Sequence, residues 1–529
     1  MKIIDRIKNR VNRMTESVGM FKKDVFELEG VPAFREFYTL YVFIWQAVYK
    51  GFYKAWHEVP VVTVKDPKGK TRIMSTMNAG KMACAQMARY VWNERCSITV
   101  SMNNAQGNAQ GNDPLNEYVQ KVLKNNRFGT AFGDLLEKAF ALGGCALKEW
   151  VEIPKDENGN DLGEGKVKIG YTMASQFVPT AWDNSRVKSG IFINREARDG
   201  YYYTVVEWHR LDGTTYRVTN DLYRNLIKAG EPQNILGWWY PLEKVYPLLS
   251  PDTTIQNVNE SFFQYIRPFG ANYADDNSPL GMSIYAPAMG TLHGLDIMFD
   301  SLQREFVLGK KRIIAPARVM KNTVISGNVP QRYFDASDEV WEALATDNPE
   351  DLKVIDNSVS LRVDEHITGI NGDLSILCAQ IGFDPGTLSF DAVKGLKTAT
   401  EVISENSKTF GTVKAHENII KDSLEQMVRA ILELSVRYGL TYEGKPIESL
   451  VAGGYEISVQ FDDSIIEDKA AEVNRGTMLV GAGLMSRKRF LTETLGMTPE
   501  NAEKELKQIA EESKNINAVE VTRLFGDLA

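Results

Sequence analysis

The sequence has few of the residues on which disulfide, zinc and acid–base chemistry depend. Its 529 residues include four cysteines without a C-x-x-C pair, namely Cys84, Cys96, Cys145 and Cys378. So few cysteines cannot form a disulfide framework in a chain of this length, and their scarcity is typical of a reducing compartment. None of the five histidines has a partner at zinc-ligand spacing. We therefore expect no metal site, no cofactor and no catalytic residue.

Long hydrophobic runs are also scarce. The most apolar run, residues 37–49, is aromatic and contains Gln46, and it is shorter than the roughly 20 apolar residues that a transmembrane helix needs. We interpret it as a buried helix and expect no membrane partner. A peripheral membrane anchor is the alternative interpretation of this run. The charged N-terminus is followed by no apolar segment with a cleavage site, which argues against a signal peptide.

Basic residues are fewer than acidic residues in this sequence. Lysine and arginine total 61 against 69 aspartate and glutamate residues, which gives a formal net charge of −8. Such a chain gains no general affinity for nucleic acid by neutralising phosphates, so any contact with DNA must be local. The length exceeds that of one ordinary domain, which is about 100–200 residues. With 43% hydrophobic residues, the composition favours a folded protein of several modules.

One short string resembles a nucleotide-binding motif. Gly69-Lys70-Thr71 matches the end of a phosphate-binding loop, but the motif also needs a glycine at the position that Val64 occupies. The string instead lies in a predicted β-hairpin, with a turn over residues 65–70. We therefore expect no ATP site here.

Hydrophobic periodicity predicts an α+β fold that is mainly helical. Residues 1–56 are predicted to be helical throughout, and a β-rich region follows at 145–260. Further helices are predicted at about 286–308 and 366–381. The longest helix is predicted to begin at a capping box near residue 398, to run to about residue 437, and to kink at a glycine within it.

Two kinds of feature on these elements suggest contacts. Gly290 and Gly294 lie one turn apart on the helix at 286–308, where small residues would let a neighbouring helix approach closely. The basic cluster Lys310, Lys311 and Arg312 follows this helix. The helix dipole explains the cluster as well as nucleic-acid contact does, because cations are favoured near a helix C-terminus.

Several strings taken in order resemble the portal, or head-to-tail connector, proteins of tailed bacteriophages. They are IYAPAMGTLHGLDIMFDSLQREFVLGKKRIIAP, QIGFDPGTLSFD, LKTATEVISENSKTF, FDDSIIEDKAAE and GLMSRKRFLTETLGMTPENAEKEL. The N-terminal string YKGFYKAWHE is similar to portal proteins from phages of Gram-positive hosts. The resemblance extends over most of the chain from about residue 40, although residues 145–260 and the last ten residues match only in general character.

The resemblance implies a portal fold assembled as a ring around a central channel. The implied parts are a wing at 1–282, which contains the N-terminal helices and the β-rich module at 145–260; stem helices at 283–308 and 366–383; a clip at 309–365; a tunnel loop at 384–397; a long kinked helix and return to the wing at 398–463; and crown helices at 464–529. In the tunnel loop, the implied DNA-facing residues are Ser389, Asp391, Lys394 and Lys397.

The resemblance also implies a function without enzymatic activity. Portal rings, usually of twelve subunits, occupy one capsid vertex, and double-stranded DNA is packaged and ejected through them. The implied partners are the large terminase subunit, the head–tail adaptor, and the major capsid and scaffolding proteins. The implied location is the virion, with assembly in the host cytoplasm. Two alternatives remain at this point, namely the packaging ATPase–nuclease and a structural capsid or membrane-associated protein.

Overall fold

The computed structural model of the chain describes most of the sequence between residues 23 and 510. Helices and antiparallel sheets both occur there, which confirms the predicted α+β class. The described residues are 23–63, 66–102, 113–154, 161, 163–184, 186–227, 234–309, 313–314, 321–324, 330–333, 355–356, 360–389, 407–462, 469–494 and 502–510.

The described N-terminal part begins with strand β1 (Lys23–Asp24) and a 3-10 turn (Val25–Glu27). Helix α1 spans 35–49 and includes a π-helical turn, and α2 is Lys54–His57. The prediction of a helix throughout 1–56 is therefore wrong over the described residues before α1. Gly30 has a φ of 85°, and proline at position 32 disfavours helical geometry in the residue before it.

Helix α1 contains most of the aromatic run and is buried as predicted. Tyr38, Val42 and Trp45 are each at most 2% exposed. The Tyr38 hydroxyl donates a hydrogen bond to the backbone carbonyl of Phe177. The run is therefore part of the core and is tied to the β-rich region.

Strands β2 (Glu58–Thr63) and β3 (Asp66–Ile73) form the predicted hairpin, but its turn is shorter than expected. Lys70 pairs with Val61 inside the ladder, and Thr63 pairs with Asp66. A two-stranded ribbon leaves one edge of each strand unpaired, so it accommodates a proline that a central strand would not. Because Lys70 lies in a strand, the Gly-Lys-Thr string does not form a phosphate-binding loop.

A helical layer follows the hairpin. Helix α4 starts at Asp113, whose carboxylate accepts the Leu115 amide at 2.9 Å, with proline at the first helical position. Helix α5 ends at Gly143, whose φ is 82° and whose added Cβ would lie 2.4 Å from the Gly281 carbonyl oxygen. The elements of this layer are α3 (Ala79–Val91), β4 (Ser97–Met102), α4 (Pro114–Asn125) and α5 (Phe128–Leu142).

Two antiparallel sheets form the predicted β-rich region. A seven-stranded sheet has the order β1-β11-β10-β9-β8-β7, with β12 paired to β10, and a three-stranded sheet has the order β13-β5-β6. Their strands are β5 (Cys145–Glu152), β6 (Lys166–Met173), β7 (Phe177–Asp183), β8 (Arg186–Arg198), β9 (Tyr201–Asp212), β10 (Thr215–Leu226), β11 (Ile235–Tyr240), β12 (Asp252–Ile255) and β13 (Phe263–Ile266).

The predicted helices of the second half are present. Helix α6 is Met289–Leu308, α7 is Val363–Ile381, and the described part of the longest helix, α8, is Ser407–Arg437. Helix α8 continues without interruption through Gly411, and the kink stays a prediction. The described residues between α6 and α7 include the short strands β14 (Ile313–Ile314), β15 (Lys321–Val324), β16 (Pro330–Tyr333) and β17 (Ile355–Asp356).

The C-terminal elements return to the helical layer. Strand β20 (Tyr455–Gln460) pairs along its whole length with β4. Ser486 caps the helix that begins at Arg487 by accepting the Arg489 amide. The remaining elements are β18 (Thr441–Tyr442), β19 (Lys445–Pro446), α9 (Ile447–Val451), α10 (Lys469–Gly481), α11 (487–494) and α12 (502–510).

Helix α8 lies at the centre of the core. Its apolar residues recur every three, four or seven positions and therefore share one face. This face packs against the three-stranded sheet, α3 and β20. Its buried residues include Val413, Ile420, Leu424, Met427 and Ile431.

We expect Leu424→Ala to lower the free energy of unfolding by about 2–5 kcal/mol, because Leu424 is fully buried and its truncation leaves a cavity. Urea unfolding followed by circular dichroism measures the change. Lys421→Ala on the exposed side of α8 is the control. An equal effect of the two substitutions would contradict the central position of α8.

Candidate functional site

Helices α6 and α7 pack against each other in antiparallel orientation, and we call them the helix pair. At one end, the Thr291 hydroxyl donates to the Gln380 side-chain oxygen at 2.8 Å. At the other end, the Arg362 guanidinium lies 3.4 Å from Glu305, and this contact lowers the pKa of the Glu305 carboxyl. The helix pair therefore has polar contacts at both ends.

The two glycines predicted to allow close packing have different surroundings. A Cβ added at Gly294 would lie 3.2 Å from the Asp373 carboxylate, so α7 of the same chain approaches closely there. A Cβ added at Gly290 would have no atom within 4 Å. Gly294 thus serves packing within the chain, whereas the space at Gly290 is open to another molecule.

Asp296, on α6, is one of two buried carboxylates that connect the helix pair to the rest of the chain. Its Oδ2 accepts a hydrogen bond from Nε2 of His57 at 3.1 Å. Its Oδ1 accepts the Thr76 hydroxyl at 2.9 Å and the Met77 amide at 2.8 Å. Nδ1 of this histidine lies 2.8 Å from the Tyr53 amide nitrogen and 3.0 Å from the Tyr53 carbonyl oxygen. Asp296 is thus bound by three donors.

Asp300, one turn further along α6, is the second carboxylate. Arg72 donates to both of its oxygens, at 2.7 and 2.8 Å, and the Ser75 amide donates at 2.9 Å. Burial acts to raise the pKa of Asp300, but the Arg72 guanidinium and the Ser75 amide outweigh it and lower that pKa. We call the two carboxylates with their partners in residues 57–77 the anchor.

A second polar contact joins the end of α7 to the start of α8, and we call it the clamp. The Asp384 amide donates to the Thr409 hydroxyl, and the Thr409 amide donates to Oδ2 of Asp384, both at 2.8 Å. The Thr412 hydroxyl donates to the Gly382 carbonyl at 2.8 Å. The segment between the clamp residues therefore leaves and rejoins the fold at one place.

The predicted site residues lie mostly outside the described residues. Asp384, the first residue of the predicted tunnel loop, is 8% exposed and belongs to the clamp. Ser389 is exposed at the end of the described part. The other predicted residues, Asp391, Lys394, Lys397, Lys310, Lys311 and Arg312, lie outside the described residues, and the structure does not test them.

The outer surface of the helix pair has large apolar side chains in contact with solvent. Their exposed fractions range from 43% to 62%. They are Ile297, Phe306, Val307, Leu308, Leu361 and Ile376. Phe306, Val307 and Leu308 are consecutive at the end of α6, and Leu361 lies beside Gly309 at the same end, so this end of the helix pair is a candidate interaction surface.

Sequence reasoning identified the two helices but missed the anchor. Asp296 and Asp300 lie four residues apart on α6 and share its buried face with Leu292. A helical projection would have placed them there, because residues at this spacing line one side of a helix. No sequence pattern in residues 57–77 indicates which of these residues hydrogen-bond to the two aspartates.

Two classes of site are absent from the described ranges. No group of three or more histidine, cysteine, aspartate or glutamate side chains is arranged there to hold a metal ion. No described helix combines the length and the apolar character needed to cross a bilayer.

The described part of the chain is an α+β fold that contains an antiparallel helix pair. A family model described as "Phage portal protein, SPP1 Gp6-like" matches residues 27–518. The chain therefore belongs to this family of phage portal proteins, which confirms the predicted family. No curated protein matches the chain.

The chain also has similarity to solved structures. One is a chain of the structure titled "Neck of empty GTA particle computed with C6 symmetry". The alignment has 12% sequence identity, covers 79% of this chain and 88% of that chain, and has a TM-score of 0.35. At these values the likeness supports no inference about this chain.

We expect Asp300→Asn to lower the free energy of unfolding at pH 7 by about 1–3 kcal/mol. The substitution weakens the charge-assisted hydrogen bonds from Arg72, and it leaves the partly buried Arg72 guanidinium without a counter-charge at this position. The folded-state pKa of Asp300 is lowered, so this stability is present above the unfolded-state pKa of about 3.9 and is lost as the pH falls through the folded-state value.

Urea unfolding of both proteins from pH 7 to pH 3 measures this difference. It should shrink as the medium becomes acidic. Asp276→Asn in an exposed loop is the control, and a difference that stays constant over the pH range would contradict an ionised Asp300.

Proposed function

We propose that the chain forms a ring at one vertex of a phage capsid and that double-stranded DNA is packaged and ejected through the central channel of this ring. The observation that carries the proposal is the family match over residues 27–518. In this role the chain is structural, needs no cofactor, and acts with a separate motor that hydrolyses ATP.

The helix pair is the proposed stem. We assign 283–308 and 366–383 to the stem, and this assignment is supported by the antiparallel packing of α6 and α7. The remaining assignments follow the predicted order, namely a wing at 1–282, a clip at 309–365, a tunnel loop at 384–397, a return to the wing at 398–463 and a crown at 464–529.

The ring would form through the outer surface of the helix pair. Its apolar side chains are exposed in the single chain, and the open space at Gly290 gives a neighbouring helix room to approach. The anchor supports this arrangement because it holds α6 by four hydrogen bonds from side chains and by two from the backbone amides of Ser75 and Met77. We propose twelve subunits, as is usual for the family.

The segment between the two clamp residues contains the proposed DNA-facing loop. Asp384 and Thr409 hold its two ends together, so a change in the loop need not disturb α7 or α8. Within it, Lys394 and Lys397 would contact phosphates, with Ser389 and Asp391 beside them. The formal charge of −8 per chain would keep such contacts weak elsewhere in the ring, so that DNA slides.

The proposed partners are the large terminase subunit during packaging and the head–tail adaptor afterwards. The major capsid and scaffolding proteins would surround the wing. The basic cluster Lys310, Lys311 and Arg312 begins the proposed clip and would lie near the motor and adaptor surface. The mature location is the virion, after assembly in the host cytoplasm.

We expect Val307→Asp to prevent ring assembly and to leave the single chain folded. Val307 is 62% exposed, so a charge there costs little in the free chain but is unfavourable in an apolar contact. Mass photometry measures assembly, and circular dichroism measures folding. Leu248→Asp, at a wing residue that is 67% exposed, is the matched control, and rings formed by the Val307 variant would contradict the proposed interface.

We expect deletion of residues 390–397 to leave rings intact and to reduce the retention of packaged DNA. The deletion removes the proposed loop and keeps the clamp residues Asp384 and Thr409. Negative-stain images report the rings, and nuclease-protected DNA in particles reports retention. A deletion of equal length at 104–111 is the control. Normal packaging and retention with intact rings would exclude a role of the loop in holding DNA.

A further inference from the structure

Glu149 is a buried carboxyl group to which the proposed ring and channel assign no role. It lies on β5, the central strand of the three-stranded sheet, and is 2% exposed. The cation next to it in the sequence is Lys148, whose side chain lies on the opposite face of the strand and donates to Glu207 at 2.5 Å. Lys148 therefore does not contact Glu149 as a counter-charge.

Gln264 on β13 is the side chain that hydrogen-bonds to Glu149. It lies opposite Leu147 in the strand register, so it is a diagonal neighbour of Glu149 on the same face of the sheet. Its Nε2 donates to Oε2 of Glu149 at 3.2 Å. Oε1 of Glu149 and the side-chain oxygen of Gln264 are both buried, and neither has a hydrogen-bond partner among the described residues. This contact therefore leaves one unpaired acceptor on each side chain.

An ionised carboxylate cannot satisfy this arrangement, because carboxylate and amide oxygens are both acceptors, whereas a protonated carboxyl has one O–H donor. We propose that Glu149 is a neutral carboxylic acid in the folded chain at neutral pH, that its O–H donates to the side-chain oxygen of Gln264, and that ionisation breaks this reciprocal contact. We call the two side chains the acid–amide pair. In it, Oε2 is the carbonyl oxygen of the acid and Oε1 is its hydroxyl. This inference does not depend on the proposed ring.

The surroundings within the sheets favour the neutral form. Burial raises the pKa of Glu149 well above its usual range, and this effect exceeds the opposing effects of the Gln264 hydrogen bond and the Lys148 charge. Tyr171 on β6 and Tyr216 on β10 are coupled electrostatically to Glu149. Burial raises the pKa of both tyrosines, so neither carries a charge at neutral pH.

The helices that pack against β5 are α8 and α5. The buried titratable side chains of α8 are His416 and Glu417. Burial lowers the pKa of His416 to about 4, so it is neutral, and Glu417 pairs with Lys414 at 3.0 Å. The charged side chains of α5 are all at least partly exposed, namely Asp134, Glu137 and Lys138. No buried cation of either helix therefore stabilises an ionised Glu149.

The acid–amide pair should break in alkaline solution. Because the folded-state pKa of Glu149 is raised above the unfolded-state value of about 4.3, the stability from the pair is fully present below that unfolded-state value. It is lost as the pH rises through the folded-state value. Ionisation would leave a buried charge beside the Gln264 oxygen, which is unfavourable. A rise in pH should therefore weaken the contact between β5 and β13.

Infrared difference spectroscopy of the full-length protein tests the protonation directly, because a protonated carboxyl has a C=O stretching band that a carboxylate lacks. We expect this band at pH 7 in the wild-type protein and not in Glu149→Gln, and we expect it to disappear as the pH is raised. Glu456→Gln, at an exposed strand residue, is the control and should keep the band. The proposal is overturned if no band at pH 7 is lost on the Glu149 substitution.

A substitution of Gln264 tests the partner. Gln264→Met keeps a side chain of similar size but removes the amide. The Glu149 band should then shift to higher frequency, because the carboxyl loses its hydrogen bonds. An unchanged band in the folded variant would exclude Gln264 as the acceptor.

Urea unfolding from pH 5 to pH 9 measures the coupling to stability. Glutamine has the shape of the neutral acid and can both donate to and accept from Gln264. We expect Glu149→Gln to be more stable than the wild type at pH 7, because the wild-type chain must take up a proton when it folds. The ratio of the two unfolding constants should change about tenfold per pH unit until the folded-state pKa is passed. A ratio that is independent of pH, or a variant that does not fold, would contradict a neutral Glu149.

Discussion

The attachment of α6 to residues 57–77 is the interaction on which the rest of the second half depends. Asp296 and Asp300 are buried, and a buried carboxylate is tolerated only where hydrogen bonds or a counter-charge replace water. Their donors come from His57, Arg72 and the backbone of the segment after the hairpin. Since these donors surround two turns of one helix, they fix its position and direction.

The other long elements follow from this attachment. Helix α7 packs along α6, the clamp joins α7 to α8, and α8 passes through the core to the three-stranded sheet. The side of α6 that faces residues 57–77 is thus fixed by specific polar contacts, whereas several large apolar side chains of the helix pair are exposed in the single chain. In the proposed ring, neighbouring subunits would cover these side chains.

The predictability of the fold differed between elements for physical reasons. The helices α6, α7 and α8 were found because their apolar residues recur at helical spacing over many turns. The hairpin turn was misplaced because proline and glycine, which usually mark turns, also fit a two-stranded ribbon, where Lys70 pairs with Val61. The predicted loop began at Asp384, but this residue is buried by a contact with Thr409, which lies 25 positions later.

The sequence by itself determined the family, the α+β class and the order of the long helices, because these depend on local patterns and on the succession of strings along the chain. Only the tertiary structure decided which polar residues are buried. His57 and Asp296 are 239 positions apart, and Arg72 and Asp300 are 228 positions apart. In the sequence, a buried aspartate in an amphipathic segment cannot be distinguished from a solvated one, because the residues that hydrogen-bond to it come from distant parts of the chain.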